Sequence, residues 1–168
     1  FNEGTILAND TADFVHDSFT NISDFNIKLG TNERVTGNLI LWYDSNNDSE
    51  FQFKFHNEDS AGTALAGSIF AYSVRHPDHN TTDADASPNN DDSPGRNQVI
   101  YSTDGTGGKI TLDIASGNTD IRFAEIFFNV LNSTSTSSTF KFYGAEVGDS
   151  SSFDCHLLAG SYNAYKKF

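Results

Sequence analysis

Two-residue alternation over Val35–His56 (VTGNLILWYDSNNDSEFQFKFH) constrains this chain more than any other stretch. Val35, Leu39, Leu41 and Tyr43 fall on one side of an extended chain, Ile40 and Trp42 on the other. Phe51, Phe53 and Phe55 then alternate with Gln52, Lys54 and His56. Successive side chains of a strand point to opposite faces, so the pattern fits two half-buried antiparallel strands. The link Asp44–Glu50 (DSNNDSE) is rich in Asn, Asp and Ser, whose short side chains cap local backbone groups in turns. The expectation is a β-hairpin at the centre of an all-β domain, its first strand more buried than its second.

Similar signals recur along the chain. Thr5-Ile6-Leu7 reads as a short strand, and Phe14, Val15 and Phe19 as a loop or a second short strand. Phe25, Ile27 and Leu29 share a face, as do Phe70, Tyr72 and Val74, and Ile110, Leu112 and Ile114. Gln98–Ser102, Thr139–Ala145 and Leu157–Tyr165 complete the shorter strands. Asp120–Leu131 is apolar on both faces and reads as a strand buried on both sides; its β-branched and aromatic content outweighs a competing helical spacing. Gly30–Glu33, Asp104–Gly108, Ser116–Thr119, Asn132–Ser138 and Gly148–Ser152 supply turns. About eight to ten strands at this spacing predict a jelly-roll β-sandwich, a single domain over residues 1–168.

One segment breaks the rhythm. Residues 75–97 hold all three prolines (Pro77, Pro88 and Pro94) and the acidic run TTDADASPNNDDSPG. So long an irregular insertion is a functional loop, an interface arm or a mobile segment. The expectation is that contact with a neighbouring chain orders it.

A chain of 168 residues can bury a core without covalent staples. Fifteen Phe, six Tyr and one Trp, with no Met, make that core aromatic, and Trp42 is expected inside it rather than on a sugar-stacking platform. The net charge of −13 repels phosphate backbones and argues against nucleic acid as a partner. No apolar run approaches the ~20 residues of a membrane helix, so no membrane partner is expected. The lone Cys155 cannot form an internal disulfide.

Chemistry-bearing clusters are few. His76 and His79 flank Pro77-Asp78 and could ligate zinc or nickel, but the proline disfavours helical presentation and no third ligand is evident. Asp44, Asn46, Asp48 and Glu50 have the alternating oxygens of a calcium loop without its glycine or distal glutamate. Asp83 and Asp85, with Asp91 and Asp92, form a second acidic cluster. The expectation is no cofactor, with calcium or another divalent ion as the alternative. No Gly-x-Ser-x-Gly elbow is present, and Cys155 and His156 are neighbours whose side chains leave a strand on opposite faces, so no catalysis is expected. Asn9, Asn21, Asn47, Asn80 and Asn132 head glycosylation sequons. Tyr162, Tyr165, Asp83 and Asp85 are the candidate interface residues.

Two blocks carry a family resemblance: GTNERVTGNLILWYDSNNDSEFQFKF at Gly30–Phe55, and Arg122–Phe168, which ends in Leu-Ala-Gly-Ser-Tyr and a Tyr/Lys-rich tail. With the leading Thr5–Thr11 run, their order resembles a family of small trimeric jelly-roll domains on tailed-bacteriophage virions. That family is similar in architecture to tumour-necrosis-factor and complement-C1q heads. The sequence departs from the pattern at Ala12–Ser23 and in residues 75–97. The resemblance implies a homotrimer on the virion surface, most simply a capsid decoration (cement) protein bound to the major capsid protein. It also allows the receptor-binding head of a tail or head fibre, joined to a stalk and touching a host-surface glycan. A secreted carbohydrate-binding module is the third reading. A stalk preceding Phe1 would favour the fibre.

Overall fold

The computed structural model describes residues 3–45, 49–66, 68–75, 98–102, 109–112, 122–148 and 155–168. Its strands are β1 (Glu3–Ile6), β2 (Thr20–Asn21), β3 (Ile27–Leu29), β4 (Arg34–Ser45), β5 (Ser49–Glu58) and β6 (Ser68–Arg75). They continue with β7 (Gln98–Ser102), β8 (Ile110–Leu112), β9 (Arg122–Asn132), β10 (Ser138–Gly148), β11 (Cys155–Leu157) and β12 (Tyr162–Lys167). A 3-10 turn, Ser23–Phe25, precedes β3.

Two antiparallel sheets result. The larger runs β1-β12-β4-β9-β6-β7, with β11 also on β4; the smaller runs β2-β10-β5-β8, with β3 also on β10. From β3 to β5, and again from β8 to β11, each successive strand crosses to the other sheet. This is jelly-roll winding, so the expected all-β jelly-roll sandwich is the architecture. The β6–β7 pair widens the large sheet beyond β9.

The central hairpin is not formed. β4 lies between β12 and β9 in the large sheet, while β5 pairs with β10 and β8 in the small one. β4 and β5 therefore lie in different layers of the sandwich. Both arrangements bury every second residue, so alternation does not distinguish them. Nor is β4 the more buried strand. Phe51, Phe53 and Phe55 are as enclosed as Leu39, Leu41 and Tyr43, and Gln52, Asn57 and Glu58 are buried as well.

The core is aromatic and drawn from both layers. Tyr43 meets Phe51 at 5.3 Å between ring centroids, and Phe55 meets Tyr72 at 5.0 Å across the sandwich. Phe14 stacks on Phe51 at 5.5 Å. It fits because Gly144 lies beneath it: a Cβ there would stand 2.7 Å from the Phe14 ring.

Two further expectations change. β9 is buried on one face only: Arg122, Ala124, Ile126, Phe128, Val130 and Asn132 point inward, and Phe127 is 46% exposed on the other side. Trp42 is not core. It stands on the outer face of β4, 41% exposed, tilted against Phe123 at 5.5 Å. In addition, the closing strand is broken. β11 and β12 follow one another along the same edge of β4, separated by a turn in which Gly160 takes φ +92°. Only a glycine adopts that conformation without strain.

Candidate interaction surfaces

The register of the large sheet decides what its outer face presents. Ile6 pairs with Tyr162, and Tyr162 with Ile40. Trp42 pairs with Phe123, Asn38 with Phe127, and Ile69 with Leu131. Paired residues share a face, so these apolar side chains lie in one field across β1, β12, β4, β9 and β6. Ile6, Trp42, Ile69, Phe127 and Tyr162 are all exposed. Beside Phe127 the small residues Thr36, Gly37, Ala71 and Ser73 leave a shallow depression of about 350 Å³, completed by Asn129.

Charge is sparse there. Among the described side chains of these strands the face carries Arg34 and Lys166 against Asp44 and Glu125, two of each sign on a chain of net charge −13. Six strands of 4 to 12 residues abreast, at about 3.4 Å per residue and about 4.8 Å between strands, give a footprint on the order of 750 Å². A standard interface takes roughly 800 Å² from each partner.

The small sheet presents a different outer face. Glu58 is nearly enclosed there. It accepts a hydrogen bond from Lys141 Nζ at 2.6 Å and one from the Tyr143 hydroxyl at 2.7 Å, and lies 3.2 Å from His56 Nδ1. Burial pushes its carboxyl up, but the hydrogen bonds from Lys141, Tyr143 and His56 and the Lys141 charge outweigh that and hold it below the ordinary value. A carboxyl depressed on folding stabilises the fold above its unfolded pKa of about 4.3, and that stability is lost as pH falls through the folded value. Glu58→Gln is expected to cost about 1–3 kcal/mol at neutral pH. Urea unfolding of both proteins should show the gap closing on acidification; a gap independent of pH would mean the charge is not what matters.

The sequence-derived candidates separate. Tyr162 lies on the outer face of the large sheet, whereas Tyr165 faces inward and packs on the core. Asp44 pairs in register with His156 on β11. His76, His79, Asn46, Asp48, Asp83 and Asp85 lie outside the described residues. Among the described residues no group of three or more His, Cys, Asp or Glu could hold a metal ion, and no helix is long and apolar enough to cross a membrane.

Cys155 and His156 do point apart: the thiol is buried and the imidazole sits 3.3 Å from Asp13 Oδ1. Burial pushes the thiol pKa far up, and the nearby carboxylates of Glu146, Asp44 and Asp13 push it further. The thiolate is the reactive form. Iodoacetamide should therefore leave native Cys155 unmodified and label it once urea unfolds the chain; rapid native labelling would contradict the burial.

Asn132 cannot carry a glycan. It is fully buried, its amide donates to the Gly30 and Thr136 carbonyls, and its oxygen accepts from Thr134. The Asn21 amide is likewise engaged, with Asn26 and the Phe142 carbonyl, while Asn9 is exposed.

No family model matches the chain. No curated protein matches it either. Among solved structures it is similar to a chain in the structure of infectious bursal disease virus Gx strain, at 7% identity and a TM-score of 0.26. The match covers 99% of this chain and 40% of that one, so this chain spans well under half its length. Likeness at that level leaves fold and role to be argued from the residues themselves.

Proposed function

We propose that this chain is a structural protein of a bacteriophage virion surface, a capsid decoration protein whose copies join as a trimer through the outer face of the large sheet. The observation that carries the assembly is that face: Trp42, Phe123, Phe127, Tyr162, Ile40, Ile69 and Ile6 are gathered on one near-neutral field of a strongly acidic chain. Exposed apolar fields of this extent mark association surfaces. Like-charge repulsion between copies at −13 is least where the surface charge cancels. The virion setting rests on the resemblance of the Gly30–Phe55 and Arg122–Phe168 blocks, and the jelly-roll winding is compatible with it.

The role is passive, with no catalysis and no cofactor. Copies bury apolar sheet faces against one another and leave acidic surface to solvent. Repetition over a lattice of major capsid proteins turns weak contacts into firm attachment.

Light scattering on the purified chain tests the assembly. The expected mass is three times the 18.4 kDa chain. Trp42→Asp with Phe127→Asp should give a monomer with an unchanged circular dichroism spectrum, since neither side chain belongs to the core. A monomeric wild type at high concentration, or a trimer that survives both changes, would overturn the reading.

A further inference from the structure

We propose that the outer face of the small sheet binds an acidic saccharide, a sugar chain bearing carboxylate or sulfate groups, through Lys54, Lys109 and Lys28. This inference does not depend on the virion reading, because it rests on the other sheet.

The chain holds only ten Lys and Arg residues against 23 Asp and Glu. Four of the ten, Lys28, Lys54, Lys109 and Lys141, lie on or at the edge of this one face. The register places them: Lys54 pairs with Tyr143, Lys141 with His56 and Lys28 with Thr139. The pairing of Phe53 with Ile110 brings Lys109 beside Lys54. Lys28 and Lys109 are exposed, and Lys54 is half-buried.

Their charge is only partly offset locally. Glu58 is engaged by Lys141, Tyr143 and His56. Lys54, Lys109 and Lys28 make no ion pair among the described residues. Among the described side chains of β3, β5, β8 and β10, Glu58 is the acidic one that the register assigns to this face. Burial and then the neighbouring Lys109 charge depress the Lys54 ammonium, while Glu58 pulls it back up. Two ammonium groups that repel each other here would be relieved by an anion between them.

The net charge of −13 does not forbid this. Acidic groups on the outer face of the far layer stand more than about 10 Å away and are exposed to electrolyte, which damps their reach at physiological salt. A ligand with sparse charge meets the three lysines and little of the acidic field. Duplex DNA, with a charge every ~1.7 Å, meets both. Single-stranded nucleic acid needs open rings for base stacking. The rings here are occupied: Lys54 Nζ stands 4.2 Å from the Phe19 centroid and 5.7 Å from that of Tyr143, and His56 lies 5.3 Å from Tyr143.

Isothermal titration of the full chain with polygalacturonate, chondroitin sulfate, unsubstituted dextran and oligothymidylate tests the proposal. Expected is binding to the two acidic polysaccharides, weakening as salt rises, and none to neutral dextran. Lys54→Glu with Lys109→Glu should lower the affinity at least tenfold. Lys28→Glu with Lys109→Glu, both at exposed positions, should lower it too and serves if the first pair disturbs folding. Lys167→Glu, the same charge reversal on the large sheet and outside its proposed contact face, should change nothing. Absence of binding to both acidic polysaccharides, equal binding to neutral dextran, tighter binding to oligothymidylate, or lysine variants that bind like wild type would each overturn it.

Discussion

Phe55→Ala is expected to destabilise the fold by about 3–5 kcal/mol, the largest loss from any single truncation considered. The Phe55 ring is 2% exposed. It stacks on Phe140 at 4.8 Å with planes 5° apart, and meets Phe142 at 5.3 Å within its own sheet. Across the sandwich it touches Tyr72 at 5.0 Å and Phe128 at 6.2 Å. Alanine removes the ring's transfer energy and leaves a hole between two sheets that are each fixed by backbone hydrogen bonds, so little collapse can refill it. At roughly 2–4 °C per kcal/mol for a domain of this size, the melting temperature should fall by roughly 10 °C. Phe55→Leu keeps most of the volume and should cost less than half as much. Calorimetry reads both; a drop under 2 °C for the alanine variant would show that this ring is not central to the core.

Gly37→Val is expected to cost about 3 kcal/mol, against the direction that strand propensity alone suggests. Valine favours strands over glycine by up to ~1 kcal/mol. Here a Cβ would stand 2.5 Å from the Ala164 carbonyl oxygen, 2.7 Å from the Phe128 ring and 2.7 Å from Tyr165 Cβ. The first of these is backbone of the adjacent β12 and cannot turn aside. Overpacking of this kind costs about 1–3 kcal/mol or more, so it exceeds the propensity gain. The missing side chain is what lets Tyr165 lie down on the core. Gly30→Ala is the control, because its nearest neighbour there would be the flexible Glu33 carboxylate at 3.7 Å. Urea denaturation should show a large loss for the first and little change for the second. Equal stability of Gly37→Val and wild type would contradict the close approach of β12.

The inward residues were legible from alternation. Val35, Leu39, Leu41, Tyr43, Phe51, Phe53 and Phe55 are all buried, as are Phe70, Tyr72, Val74, Ile110 and Leu112. Which strand pairs with which was not legible. Alternation fixes the two faces of a strand and is silent on its neighbours, so consecutive β4 and β5 read as a hairpin although each belongs to a different sheet. Trp42 and Phe127 were misread for a related reason. Apolar residues at outward positions look like core when hydrophobicity alone is counted, whereas here they form the proposed contact surface. The Glu58 cluster was hidden because its members, His56, Glu58, Lys141 and Tyr143, come from strands more than 80 residues apart. A polar position at the end of a strand gives no sign of the partners that the fold will bring to it.

The place of β12 between β1 and β4 ties assembly of the large sheet to the order of synthesis. A ribosome delivers β1 long before β12, yet β1 reaches β4 only through β12. A nascent chain that has emerged as far as β10 can hold β4 against β9 and β5 against β10, with one edge of β4 bare and β1 unattached. Translation halted before Tyr162 would release a polypeptide with that edge open, and an open apolar edge recruits strands from other molecules. Arrival of β12 is therefore the event that protects the rest.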